Sequence, residues 1–237
     1  MKNIFCLLIA SYSFLNCFGQ TRTSDEYLKK ALTKYDIEDY AGAIEYYNKA
    51  IEIDPGYSDL YQFRGMSKLY LKNYRGAIED FGQAIILNPH DADAYANRGI
   101  AKSKVNDYTG SIQDCNKAIK IDPKNALFYS NRGTIKSLLQ DYRGSIQDFN
   151  QAIKIDPNNE DTYFNRGSSK VDLKDYRGAI IDFNNAIEIN PTDASAYKNR
   201  GIAKIALNQK DSGCLDLSKA GELGLESAYE SIKEFCK

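Results

Sequence analysis

The sequence predicts an all-α fold, a linear stack of helical hairpins, and three rows of residues predict it. Its five prolines, Pro55, Pro89, Pro123, Pro157 and Pro191, stand 34 residues apart. Tyr27, Tyr61, Tyr95, Tyr129, Tyr163 and Tyr197 keep the same step, and Gly65, Gly99, Gly133, Gly167 and Gly201 follow four residues later, with Ala31 in the first copy. Ala50, Ala84, Ala118, Ala152, Ala186 and Ala220 make a third row near the end of each copy. A fixed step through one chemical pattern marks an array whose copies pack on their neighbours.

Each copy reads as two helices. In the stretch 126–157, Asn125 precedes a helical run and is placed to cap its free amides. Tyr129, Gly133, Ile135 and Leu139 recur at helical spacing as a first apolar face. Asp141 is a second cap, and Ile146, Phe149, Ala152, Ile153 and Ile155 make the face of a second helix. Pro157, with no amide donor, closes it. Gly133, Ser145 and Ala152 are small enough for close helix crossing, with Tyr129, Tyr142 and Phe149 filling the space around them. One such hairpin cannot bury its apolar face, whereas three or more stacked copies can.

The order aromatic, Gly, Asp-Tyr, Ala/Ser-Ile, aromatic, Ala-Ile, Pro resembles the tetratricopeptide repeat. The resemblance covers five full copies, 24–57, 58–91, 92–125, 126–159 and 160–193. A degenerate sixth, 194–224, keeps Tyr197, Gly201 and Ala220 but has Gln209-Lys210 in place of Asp-Tyr and lacks the proline. A last helix is expected over 225–237 as a cap. The resemblance implies an α-α superhelix, a solenoid whose concave groove binds other proteins.

The chain opens with Lys2, an apolar run to Phe18, then Gly19 and Gln20. This reads as a secretory signal peptide over residues 1–19, too short to span a bilayer comfortably. A retained anchor is the alternative. Asn16 sits where a lipidation signal wants a small residue, so acylation at Cys17 is disfavoured. The Phe-Gly-Gln ending resembles leaders of Bacteroidetes-like Gram-negative bacteria, which implies the periplasm or the cell exterior. Removing residues 1–19 takes away Lys2 and no acid, leaving 30 basic and 32 acidic residues and a net charge of −2. No basic block remains to suit a nucleic-acid partner.

Cys6 and Cys17 would leave with the signal, and Cys115 replaces the aromatic of Phe81, Phe149 and Phe183 as a buried filler. An antiparallel hairpin turning near 222–225 brings Cys214 beside Cys236, and export to an oxidising compartment favours a disulfide over two free thiols. His90 is the single histidine. No Ser-His pairing, His/Cys metal spacing or phosphate-cradling glycine loop is present, so neither catalysis nor a cofactor is expected.

Candidate binding residues therefore lie in the groove. Asn97, Asn131, Asn165 and Asn199 recur in Asn-Arg-Gly triplets. In similar repeat proteins this Asn faces the groove, and an amide both donates to and accepts from a peptide backbone. The set Arg64/Lys68/Asp80 recurs as Arg98/Lys102/Asp114, Arg132/Lys136/Asp148, Arg166/Lys170/Asp182 and Arg200/Lys204/Asp216, and reads as exposed pairs tying helices within or between copies, with a binder of acidic ligands as the alternative. Residues that vary between copies, near Tyr35, Phe63, Met66, Tyr70, Ile100, Lys104, Leu138, Phe164 and Asp172, would set specificity. The expected function is a non-enzymatic scaffold that captures a peptide segment or helix of a protein partner, as a monomer. The alternative is a structural envelope component that assembles with itself.

Overall fold

A computed structural model of the chain describes residues 21–236. The expected signal peptide, with Cys6 and Cys17, lies outside the described residues. Among those residues there are thirteen helices and no strand. They fall into two compact units, one ending at Pro89 and one beginning at His90.

The first unit holds α1 (Thr21–Asp36), α2 (Tyr40–Ile53), α3 (Ser58–Tyr70) and α4 (Tyr74–Leu87). Its core joins Leu28, Ala31, Ala43, Tyr47, Ala50 and Leu60. The second unit holds α5 (Ala92–Lys104), α6 (Tyr108–Ile121), α7 (Ala126–Leu138), α8 (Tyr142–Ile155), α9 (Glu160–Asp172), α10 (Tyr176–Ile189), α11 (Ala194–Ala206), α12 (Lys210–Glu222) and α13 (Glu226–Phe235). Within each unit, every helix packs on the next, giving an all-α solenoid of helical hairpins.

The turn inside each hairpin shows how the sequence sets the fold. In the fourth copy, Asp141 donates its amide to Lys136 O at 2.9 Å, closing the end of α7. The Asp141 side chain accepts the Gly144 amide at 2.9 Å, opening α8. One residue thus ends one helix and starts the next. Asp39, Asn73, Asp107 and Asp175 cap their helices in the same way. The cap needs a second glycine per copy, because a Cβ on Gly144 would collide with the Asp141 carboxylate.

The row led by Gly65 serves the helix crossing. A Cβ on Gly133 would meet the Phe149 ring at 2.9 Å, and Gly65 and Gly167 meet Phe81 and Phe183 similarly. Phe149 and Ala152 are buried behind that contact. Cys115 takes the Phe position in α6 and is fully buried with a free thiol. Burial pushes that thiol up to about 12, helped by the charge of Asp114.

Two features depart from the sequence reading. Leu139, expected on the apolar face of α7, is 48% exposed. It is the C-cap residue, where the chain leaves the helix and the apolar stripe ends. The residue after it, Gln140, has φ 62°, and Glu38, Lys72, Asn106, Lys174 and Asn208 hold the same left-handed turn. None is glycine, and only the two asparagines carry a local signal for it.

At the C-terminus Gly224 turns the chain with φ 94°. Helix α13 folds back on α12, and Cys214 and Cys236 form a disulfide. Tyr229 of α13 lies against Gly221, where a Cβ would stand 2.8 Å from the ring.

Candidate peptide-binding face

The first helix of each hairpin turns by about 100° per residue. Counting from its first residue, the second, sixth, ninth and thirteenth positions share one narrow stripe. On α7 these are Leu127, Asn131, Thr134 and Leu138. Leu127 and Leu138 are 53% and 59% exposed. The opposite side of the same helix, Phe128, Gly133 and Ile135, is buried. This open stripe recurs on α5 (Asp93, Asn97, Ile100, Lys104), α9 (Asp161, Asn165, Ser168, Asp172) and α11 (Ser195, Asn199, Ile202, Ala206), all exposed or half-buried.

The first helices of successive copies in this unit stand side by side. Thr162 Oγ1 reaches Ser130 Oγ at 3.4 Å, and Ser169 Oγ reaches Ser137 Oγ at 3.4 Å, linking α9 to α7. Asn97, Asn131, Asn165 and Asn199 therefore form a row on adjacent helices. All four are half-buried, and their side chains make no hydrogen bond among the described residues. Each amide keeps its donors and its acceptor for a ligand.

The stripe of the first unit is different. On α3 it comprises Asp59, Phe63, Met66 and Tyr70. Phe63 stands at the asparagine position and stacks on Tyr47, with centroids 6.1 Å apart. Tyr70 is 53% exposed and stacks on Tyr40 at 4.6 Å, with Tyr35 edge-on at 5.9 Å. Burial, followed by the neighbouring Tyr70 hydroxyl, holds the Tyr35 hydroxyl well above its ordinary range. Phe164 is one residue off the stripe and leans on Phe183, centroids 5.8 Å apart. It packs the α9–α10 contact. Leu127 lies on the stripe, although its apolar character alone would count it as core.

The arginine row faces elsewhere. Arg132 donates through Nε and Nη2 to Asp148 at 2.9 and 2.5 Å, and Lys136 completes the site at 2.8 Å. Nη1 donates to Asn116 Oδ1 at 2.6 Å. The guanidinium also lies over the Tyr129 ring, 5.7 Å from its centroid. One arginine thus holds α7 to α8 through the aspartate and to α6 through the asparagine. Arg64, Arg166 and Arg200 repeat this with Asp80 and Asn48, Asp182 and Asn150, and Asp216 and Asn184. Asp148 raises the pKa of Arg132, as Asp114 does for Arg98.

These are not the exposed pairs expected from sequence. The five aspartate side chains are 0–9% exposed and their arginines 16–21%. Sequence reasoning does not find the asparagine acceptors or the tyrosine stack, although the tyrosines recur at the 34-residue step and the asparagines do so except at Gly82.

Among the described residues no group of three His, Cys, Asp or Glu could hold a metal ion. No helix among them is long and apolar enough to cross a membrane.

Comparison with known proteins agrees with the fold. Tetratricopeptide repeat family models match residues 24–57, 92–125 and 160–193, and a TPR repeat model matches 138–170. No curated protein matches the sequence. Solved structures do. PilF of Pseudomonas aeruginosa superposes with a TM-score of 0.79 at 14% identity, covering 92% of this chain and 99% of that one. A tetratricopeptide repeat protein from Parabacteroides merdae gives 0.67 at 18% identity, covering 90% and 97%. YrrB, described as a TPR protein with an unusual peptide-binding site, gives 0.64 at 19% identity, covering 79% and 97%. At such identities the likeness is one of fold. With its repeat models matched and its hairpins built as they require, the chain belongs to the tetratricopeptide repeat family.

Proposed function

We propose that this chain is an exported, non-enzymatic scaffold whose open stripe on α5, α7, α9 and α11 takes an extended segment of a protein partner. The observation that carries the reading is the row of four half-buried asparagine amides with no partner among the described residues. A half-buried amide already gives up much of its water, so a peptide backbone that supplies both donor and acceptor binds at low desolvation cost. The exposed Leu127 and Leu138 on α7 would take an apolar side chain of the segment. Asp161 and Asp172 on the next stripe favour a basic one.

The test is calorimetry with a peptide from a partner captured from the envelope fraction. Replacing Asn131 and Asn165 with Ala removes about 0.5–1.5 kcal/mol each, a loss of roughly five- to a hundred-fold in affinity. The melting temperature should stay unchanged. Unchanged affinity would overturn the asparagine reading and move the site to Phe63, Met66 and Tyr70 or off the stripe. Intact mass of the exported protein should begin at Gln20, and a lipid adduct on Cys17 would reject the soluble form.

Self-assembly is the second reading. It draws on the exposed apolar turn residues of the second unit, Val105, Leu139 and Leu173, at 38%, 48% and 42%. Light scattering across a concentration series separates the two: a constant monomer mass rules self-assembly out.

A further inference from the structure

A cavity of about 600 Å³ opens beside α5 and α6, away from the asparagine row. Tyr95 and Arg98 form its α5 wall, and Arg98 is turned about 100° from Asn97. The α6 wall carries Gln113, Asn116, Lys117 and Lys120, all exposed or half-buried. Asp114 is the one acid in the lining, and its oxygens are already taken. Arg98 Nε and Nη2 bind it at 2.9 and 2.7 Å, and Lys102 at 2.8 Å.

What remains around the cavity is neutral or cationic, and the donors outnumber the acceptors, which are the Gln113 amide oxygen and the Tyr95 hydroxyl. Arg98 differs from its counterparts in the other copies: its Nη1 makes no hydrogen bond among the described residues. In Arg64, Arg132, Arg166 and Arg200 that nitrogen donates to an asparagine at 2.6–2.8 Å. At the sequence level, the copy before α5 carries Gly82 where the others carry Asn48, Asn116, Asn150 and Asn184. Asn116 has its oxygen held by Arg132, so its NH2 is left to donate. Lys117 and Lys120 pair with no acid among the described residues. The corresponding residues of α8 are Gln151 and Lys154, one cation where α6 has two.

We propose that this cavity binds a phosphate group, either inorganic phosphate or the head of a phosphomonoester. A guanidinium, an amide and two ammonium groups approach from two helices. A carboxylate, with two oxygens and one charge, would leave donors unused, whereas a phosphate dianion offers three or more acceptor oxygens. The cavity volume falls within the range of about 300–1,000 Å³ usual for small-molecule sites, which leaves room for the organic part of an ester.

The test titrates the full chain with inorganic phosphate and with phenyl phosphate, ionic strength being held by chloride, and follows backbone amide shifts. Saturable shifts confined to α5 and α6 around Arg98 and Asn116–Lys120 are expected. The double variant Lys117→Gln/Lys120→Gln should weaken binding by about ten-fold or more, because two cations are lost from contact range. Its melting temperature should not change, since neither lysine holds a partner. Lys154→Gln, the counterpart on α8, should leave binding intact. Tighter binding of phenyl phosphate identifies an ester as the ligand, and equal binding identifies the free anion. No saturable shift with either probe, shifts spread over lysines throughout the chain, or an unaffected double variant would overturn the proposal.

Discussion

Replacing Asp148 with Asn tests whether the arginine row holds the stack together. The carboxylate is 6% exposed and accepts from Arg132 and Lys136, which are 20% and 22% exposed. The substituted amide would keep the volume and one acceptor oxygen but strand two cations. Breaking a fully buried pair costs about 3–5 kcal/mol. Both cations here retain some water, which lowers the expected loss to about 2–3 kcal/mol. Urea is the denaturant of choice, because guanidinium would screen the charges under test. With a slope of about 1–3 kcal/mol/M, the midpoint should fall by roughly 1 M. Unfolding of a repeat array can proceed unit by unit, so amide exchange across α6, α7 and α8 should accompany the melt. Protection should drop in those three helices first. Asp161→Asn, on the open stripe, serves as the control and should stay within about 0.5 kcal/mol of wild type. An Asp148→Asn loss no larger than that of the control would refute the argument. Arg132→Gln combined with Asp148→Asn should cost less than the two singles summed, because each removes the same contact.

Three further outcomes follow from local geometry. Gln140→Gly should stabilise the protein by about 1 kcal/mol in urea melts, because Gln140 sits at φ 62°, where a side chain is strained. Asn106→Gly should gain less, since asparagine tolerates that region better. Tyr47→Phe should raise the melting temperature, corresponding to about 1 kcal/mol: the Tyr47 hydroxyl is buried with no partner among the described residues, and its counterparts are Phe81, Phe149 and Phe183. Cys115, its thiol pushed up to about 12, should resist alkylation in the native protein near the ordinary thiol pKa and react once urea unfolds it, as followed by peptide mapping.

The hairpin step was legible because proline, aspartate and glycine act locally. Pro157 ends a helix wherever it falls, and Asp141 caps one through its own side chain. The burial of the arginine row was not legible. Its charges look like surface pairs in one dimension, and the reason they sink is the Tyr129 ring above and the Asn116 oxygen beside Arg132. The left-handed turn at Gln140 escaped because the residue there has no turn preference. It is imposed by the two ends it joins, the closing bond to Lys136 O and the cap on Gly144. The candidate face was legible only in part. Asn131 announced itself by recurrence and Leu138 by its variation between copies, whereas Leu127 shares its chemistry with core residues. Helical period alone does not say which leucine faces inward. The phase is set by Gly133, whose missing side chain lets α7 lie against Phe149 and turns Leu127 outward.

Asparagine and arginine stand side by side in four triplets, yet the helix sends them to different tasks. A turn of about 100° separates Asn131 on the open stripe from Arg132 on the seam with α6 and α8. The seam uses Arg, Lys, Asp, Asn and Tyr at fixed positions, and each of its contacts needs two or three partners at once. On α5, α7, α9 and α11 the stripe side chains make no hydrogen bond or ion pair to another helix among the described residues: Thr134 and Ser168 bond only within their own helices. On the proposed reading, changing Thr134 or Leu138 therefore alters what a ligand meets without disturbing a bond that holds the stack. That independence lets the stripe differ from α5 to α11 while the hairpins keep one geometry. It also predicts where tolerance lies. Substitutions at the second, ninth and thirteenth positions of α5, α7, α9 and α11 should change binding with melting temperature nearly constant. Substitutions at the seventh position should lower melting temperature in every copy that has its asparagine, and least at Arg98, whose Nη1 has none.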